Sequence, residues 1–154
     1  MLYSTSYESP VGELQIASDG DSIFKVSFNQ LNHPQDDGLA IFKDIKSWLD
    51  DYFKGSNPEI NFKLTPQGSE FRKRVWDILS QIPYGETMTY GEIAKMISPT
   101  MAAQAVGGAV GANPIAILIP CHRVIGKNGK LTGYAAGMDK KIELLKIEKI
   151  LSSV

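Results

Sequence analysis

Five consecutive apolar residues, Ile115-Ala-Ile-Leu-Ile119, run into Pro120 and then into Cys121, the only cysteine of the 154-residue chain. Such a run, rich in isoleucine, reads as a strand buried on both faces. Proline has no N–H for a ladder, so the strand is expected to stop at Pro120 and present Cys121 at its rim. The rest of the chain must then cover this run or bring something to the thiol. A lone cysteine is more often an inert buried thiol than a reactive one. Here His122 and Arg123 follow at once, and a polar, cationic neighbourhood is what lowers a thiol pKa and exposes a thiolate.

A single cysteine excludes an intramolecular disulfide and a cysteine-rich zinc site, so a reducing, intracellular setting is expected. No apolar run is long enough to span a bilayer, and the N-terminus has no basic-then-apolar signal pattern. A soluble cytoplasmic protein is the expectation. Residues 1–66 hold 5 Lys+Arg against 10 Asp+Glu, whereas residues 67–154 hold 11 against 7. A polyanion would therefore be met by the back half, although a solvated mixed surface explains so modest an excess about as well.

Alternation of Leu14 and Ile16, then of Phe24, Val26 and Phe28, between turn signals predicts a small antiparallel sheet over residues 1–29. Ile41, Ile45, Trp48, Leu49, Tyr52 and Phe53 mark one face of an amphipathic helix. Residues 55–66 read as a linker, and a domain boundary is expected after residue 64, giving an N-terminal α/β domain 1–64 and a C-terminal domain 65–154. Phe71, Val75, Ile78, Leu79 and Ile82 predict the next helix, with Thr65 or Ser69 as its cap. Thr89-Tyr-Gly-Glu92 is a capping box opening a short helix through Ile97. Tyr90 then lies in the first helical turn, where it either helps receive a phosphate or packs inward as a staple.

A second helix, from about Met101 to Val110, completes a helix-turn-helix pattern. Ala102, Ala105, Val106 and Ala109 form its expected inner face, and Gln104, Gly107, Gly108 and Gly111 share another. Each interior glycine costs a helix about 1 kcal/mol relative to alanine, so a glycine face needs close approach of another surface as its reason. Spacing alone leaves open whether that surface is DNA or a neighbouring element. Beyond a basic turn at residues 126–130, Tyr134 is the one large side chain of a small-residue loop. A last helix is expected to be capped by Asp139, with Leu144, Ile147 and Leu151 as its stripe and Glu148 on the same stripe. A carboxylate there either snorkels out or needs a buried partner.

Cysteine, histidine and glutamate are the ingredients of an activated thiolate, the carboxylate orienting the imidazole that takes the proton. Adjacent residues on a strand point to opposite faces, so Cys121 and His122 can cooperate only if the backbone bends after Pro120 or a water bridges them. Ile-Pro-Tyr-Gly-Glu-Thr87, Thr-Tyr-Gly-Glu-Ile-Ala94, Ala-Val-Gly-Gly-Ala109, Asn-Pro114, Pro-Cys-His-Arg-Val124, Gly-Tyr134 and Leu-Leu-Lys-Ile-Glu148 occur here in order. In order and spacing these blocks resemble the O6-alkylguanine-DNA alkyltransferases, strongly over residues 65–151.

The resemblance implies an α/β fold of the α+β kind: a small N-terminal antiparallel sheet with a helix, then a mostly helical domain holding the helix-turn-helix and a short active-site strand. It implies single-turnover transfer of the alkyl group of O6-alkylguanine, and of O4-methylthymine, to Cys121. His122, acting through a water, and Glu148 would activate the thiol, Tyr134 would donate to the guanine O6, and Asn113 would be the hinge to the helix-turn-helix. Tyr90, Gln104, Ala105, Gly107, Gly108 and Arg123 would meet DNA, while Val124 and Ala135 would line the pocket for a flipped base, which a buried thiol requires. Double-stranded DNA is the implied partner of a monomer, with no metal, cofactor or membrane.

The chain departs from the family pattern at Gln104, where an arginine normally enters the stack, at Gly111, where a basic residue is lost, and at Ala135, where a small polar residue is replaced. Weaker or more salt-sensitive DNA binding is expected. A lesion-binding protein with weak or no transfer is the alternative, and Cys121 argues against it. A cysteine hydrolase is disfavoured by the adjacent Cys-His layout.

Overall fold

The computed structural model describes residues 1–152 and divides into two compact units, Met1–Gln67 and Gly68–Val154. In the first unit, β1 (Tyr3–Ser9), β2 (Gly12–Ser18) and β3 (Ser22–Ser27) form the expected antiparallel sheet. The second turn is tied by Ser18, whose Oγ donates to the Ser22 carbonyl at 2.6 Å and accepts from the Gly20 N–H at 2.9 Å. The alternating residues Leu14, Ile16 and Val26 are buried, and so are Ile41, Phe42, Ile45, Trp48, Leu49 and Tyr52 of α1 (Ala40–Phe53), which packs on β1 and β2.

The linker reading of residues 55–66 needs correction. Lys63–Leu64 is a short strand, β4, pairing parallel to β3, and the Thr65 N–H donates to the Ile23 carbonyl at 2.8 Å. Two residues are too few for periodicity to register, and the pairing depends on an edge that only the folded sheet supplies.

The second unit opens with α2 (Glu70–Leu79), capped by Ser69, whose hydroxyl accepts from the Arg72 N–H at 3.2 Å. Phe71 is only half-buried, and Trp76 is the buried aromatic instead; its Nε1 donates to the Ala109 carbonyl at 2.9 Å. β5 (Met88–Thr89) leads into α3 (Tyr90–Ile97), whose capping box is complete. The Thr89 hydroxyl accepts from the Glu92 N–H at 3.0 Å, and the Glu92 carboxylate accepts from the Thr89 N–H at 2.9 Å.

The helix after the turn, α4 (Ala103–Gly111), starts later than expected, because Ala102 is extended and has no side-chain oxygen to cap a helix. Its inner face is Val106, Ala109 and Val110, while Ala102 and Ala105 are exposed. The short turn through residues 98–101 sets the rotation of the helix, which spacing does not specify.

The largest correction falls on residues 115–119. Ile115, Ile117, Leu118 and Ile119 are buried as expected and Ala116 is partly exposed, but the residues form a succession of turns rather than a strand. The Leu118 N–H donates to the Ala116 carbonyl at 2.8 Å and the Ile119 N–H to the Ile115 carbonyl at 3.1 Å. Ile117 sits at φ 71°, a left-handed conformation that costs a β-branched residue about 1–3 kcal/mol. Asn113 clamps the segment, its Nδ2 donating to the Ile119 carbonyl at 2.8 Å and its Oδ1 accepting from the Ile115 N–H at 3.0 Å. An apolar run reports burial, and burial alone does not select extended backbone.

After Pro120 the chain tightens into a 3-10 turn at Cys121–Arg123 and then forms β6 (Val124–Ile125), parallel to β5. That pairing sets Thr89 beside Ile125, so the start of the helix-turn-helix lies next to the residues that follow the cysteine. A second 3-10 turn, Lys127–Gly129, precedes the Tyr134 loop, and α5 (Met138–Ile147) closes the unit. Gly137 at φ 113° is the N-cap of α5, and Asp139, the expected cap, lies in its first turn.

Candidate active site

The bend after Pro120 changes what Cys121 and His122 can do together. In a 3-10 turn, consecutive side chains no longer fall on opposite faces of a strand. The Cys121 thiol is buried with the side chains of Asn113 and Tyr134 beside it. Burial pushes its pKa above the ordinary thiol value, while Asn113, Tyr134 and the charge of Lys141 each hold it back. The expected low thiol pKa is thus corrected: His122 and Arg123 are turned away to another partner, and desolvation dominates. At neutral pH the resting group is a thiol.

That other partner is Glu148, the C-cap of α5 and fully buried. His122 Nε2 donates to its Oε2 at 2.5 Å, and Arg123 bridges both carboxylate oxygens, Nε to Oε1 at 2.7 Å and one terminal nitrogen to Oε2 at 3.2 Å. A forked guanidinium is what lets a carboxylate stay ionised out of water. The Gly85 N–H adds a bond to Oε1 at 3.3 Å, so the turn after α2 wraps the carboxylate as well. An ionised carboxylate only accepts, which assigns the proton to His122 Nε2 and makes Nδ1 the basic nitrogen of a neutral ring. Burial lowers the His122 pKa, and the bond to Glu148 raises it part of the way back.

Arg123, expected among the DNA contacts, is directed inward. Its side chain is 11% exposed, another of its nitrogens donates to the Ile82 carbonyl at 2.7 Å, and its guanidinium lies 5.8 Å from the Tyr84 ring centre. The turn at residues 82–85 carries part of the charge cluster, although its sequence advertised only a turn.

Tyr134 has a buried hydroxyl with no partner other than the thiol among the described residues. Its pKa is raised well above the phenol value, chiefly by burial and then by the neighbouring Cys121, so it remains an O–H donor. Val124 is buried; its N–H is bound to the Cys121 carbonyl, and its own carbonyl accepts from Lys141 Nζ at 2.7 Å. Lys141 also donates to the Thr132 carbonyl at 3.1 Å. A lysine on a helix ordinarily reads as solvated, so sequence gave no signal for this buried one. Ala135 is exposed on the same loop.

On the helix-turn-helix, Tyr90 is half-buried, its ring against Gly107 and its oxygen accepting from the Thr132 hydroxyl at 3.1 Å. It therefore packs while reaching an open cavity of about 630 Å³ lined also by Gln104, Lys95 and Lys127. Gln104, Ala105 and Gly108 are exposed, and a Cβ added at Gly108 or Gly111 would meet nothing within 4 Å. Neighbouring elements of this protein therefore give no reason for glycine at those two positions. Among the described residues no cluster of three histidine, cysteine or carboxylate side chains is arranged to hold a metal, and no helix is long and apolar enough to cross a membrane.

The same residues are matched by two family models. Residues 70–150 match the DNA-binding domain of 6-O-methylguanine DNA methyltransferase, and residues 2–66 match its ribonuclease-like domain. A methylated-DNA--protein-cysteine methyltransferase of Methanosarcina acetivorans is 46% identical over 96% of this chain and 98% of its own length. One from Haemophilus influenzae is 45% identical over 97% of this chain and 87% of its own. Among solved structures, Mycobacterium tuberculosis OGT in complex with DNA superposes with a TM-score of 0.89 at 42% identity, covering 96% of this chain and 92% of that one. Both halves are thus matched by one family at high identity, and the chain belongs to the 6-O-methylguanine DNA methyltransferases.

Proposed function

We infer that this chain repairs alkylated DNA by moving the alkyl group of O6-alkylguanine in duplex DNA, and of O4-methylthymine, onto Sγ of its own Cys121, once per molecule. The observation that carries the reading is the composition of the thiol's surroundings. A hydroxyl donor and an amide lie beside a buried thiol, and the next residue is an imidazole set on an ionised carboxylate.

Sγ attacks the alkyl carbon and the carbon–O6 bond breaks, its electron pair remaining on the guanine. Tyr134, held as a phenol, donates a hydrogen bond to O6 as charge develops there. The thiol proton passes through a water to Nδ1 of His122, and the imidazolium is stabilised by Glu148, whose position Arg123 fixes. The imidazolium proton balances the one that guanine regains on leaving. A thioether is not an activated bond, and this set of residues offers nothing to cleave it, so turnover ends with the first transfer.

The base has to leave the stack to reach a buried thiol. The exposed glycine face of α4 would lie against the groove, Gln104 would occupy part of the gap, Tyr90 would meet the phosphate, and Asn113 would join this surface to the thiol. The Val124 carbonyl, with one lone pair still available beside Lys141, and the Ala135 loop would contact the base. The domains acting in this way are those expected at 1–64 and 65–154, in a monomer. The reading calls for the DNA-bearing, reducing cytoplasm.

Incubation with a duplex containing O6-methylguanine, followed by intact and peptide mass measurement, is the test. Stoichiometric gain of one methyl on the Cys121 peptide is expected. Tight binding without an adduct would point to a lesion-binding protein, and multiple turnover without an adduct to a hydrolase.

A further inference from the structure

We propose that Thr132 is a positioning residue that aims the Tyr90 hydroxyl at a DNA phosphate and ties that contact to the base pocket. The proposal rests on the alkyltransferase reading for its substrate, but its geometry is independent of Cys121. The Thr132 hydroxyl donates to the Tyr90 oxygen at 3.1 Å. With its oxygen accepting, the phenol keeps its own O–H for another acceptor, and both residues line the same cavity. Lys95 and Lys127, both exposed, border the same cavity, and Gln104 stands at it from α4. A donor hydroxyl with two ammonium groups around an open volume is a setting for a phosphodiester, which brings only acceptors and negative charge; the carboxylate of Glu92, which also lines the cavity, accepts from the Thr89 N–H at 2.9 Å.

The other end of Thr132 is pinned. Its carbonyl accepts from Lys141 Nζ at 3.1 Å, and the same ammonium donates to the Val124 carbonyl at 2.7 Å. Lys141 is buried and close enough to Cys121 for its charge to hold down the thiol pKa. One residue therefore reaches the helix-turn-helix through its side chain and the cysteine segment through its backbone. Tyr90 is packed against Gly107, so a phosphate that draws on its hydroxyl acts on a ring already braced on α4.

The test is a double-mutant cycle on Tyr90→Phe and Thr132→Val, with Thr132→Ser as the conservative variant, read both as the single-turnover rate of methyl transfer and as affinity for the same duplex. Thr132→Val is expected to slow transfer about tenfold, the effect of one hydrogen bond used in reaching the transition state, and to weaken duplex binding in parallel. Thr132→Ser should stay within about twofold of the unmodified protein, as a retained hydroxyl predicts. The double variant should be no slower than Tyr90→Phe alone, because the two side chains act as one unit. Additive losses, or a serine variant as impaired as valine, overturn the proposal and leave Thr132 a packing residue. If Thr132→Val does not fold, the serine variant and Tyr90→Phe still decide it: Tyr90→Phe binding duplex as tightly as the unmodified protein removes the phosphate contact that Thr132 is said to aim. Absence of any methyl on Cys121 in the unmodified protein would sink the alkyltransferase reading, whereas the affinity cycle would still test Thr132.

Discussion

Burial, and not the neighbouring cations, sets the state of Cys121, and this makes its reaction depend on the groups that touch it. Cys121→Ala is expected to abolish methyl transfer while leaving duplex affinity within about twofold, since a buried thiol is no phosphate contact; mass spectrometry and a binding titration check the two halves separately. Glu148 holds the His122 and Arg123 side chains and the Gly85 N–H, which its removal would strand. Glu148→Ala should destabilise the protein by about 3–5 kcal/mol, the cost of leaving a buried charge unpaired, as measured by urea unfolding. Gln104, exposed at the cavity rim, is shorter than arginine and uncharged. Gln104→Arg is expected to tighten duplex binding and speed repair at moderate salt; unchanged values would mean that this position is not at the stack. Glu148 was legible in the sequence because a carboxylate on an apolar stripe is an anomaly. Arg123 and Lys141 were not, because their partners are backbone carbonyls and a carboxylate brought in from distant residues.

At the scale of elements, α4 carries the clearest conflict between local stability and use. Gly108 lies mid-helix with open space around its Cα. Gly108→Ala should therefore raise stability by about 0.5–1 kcal/mol in a thermal or denaturant melt. The same methyl should weaken duplex binding if this face approaches DNA closely; a variant both more stable and equally tight would remove DNA as the reason for the glycine. The capping box of α3 was readable because the side chain and the backbone group it satisfies lie three residues apart, whereas for α2 the sequence offered Thr65 or Ser69 and the structure chose Ser69. The turns at residues 115–119 were not, since what folds them back is the two-ended clamp of Asn113. β4 and β5 are each defined by a partner strand and leave no pattern of their own.

Across the whole molecule, charge and pH act on the two units differently. The acidic residues predominate before residue 67 and the basic ones after it, and the basic part contains the family's DNA-binding domain match. Duplex affinity should fall linearly with salt on logarithmic axes. The slope should steepen by about one unit in Gln104→Arg if the new charge neutralises a phosphate. Acid should destabilise the fold through His122. Its pKa is lowered in the folded state, so below the unfolded value of about 6.5 the unfolded chain takes up a proton that the native ring resists. Stability should therefore decline as pH falls from about 6.5 toward 5, and His122→Gln should flatten that part of a Tm-against-pH curve. Cys121 acts at the other end, its raised pKa letting stability drain away only above the ordinary thiol range.

The sequence by itself determined the fold class, the amphipathic helices and the capping box of α3, the burial of the apolar run before Pro120, and the choice of cysteine, histidine and glutamate as candidates for the site. These rest on periodicity and on residue chemistry, which are written within a few positions of one another. Only the tertiary structure decided that the buried run coils instead of extending and that the thiol is shielded, not exposed. It also decided that Arg123 turns inward to Glu148, and that Lys141 and Thr132 join the cysteine segment to the helix-turn-helix. Each of those outcomes depends on the direction of a side chain relative to groups far away in the chain, and on the desolvation that follows once they meet.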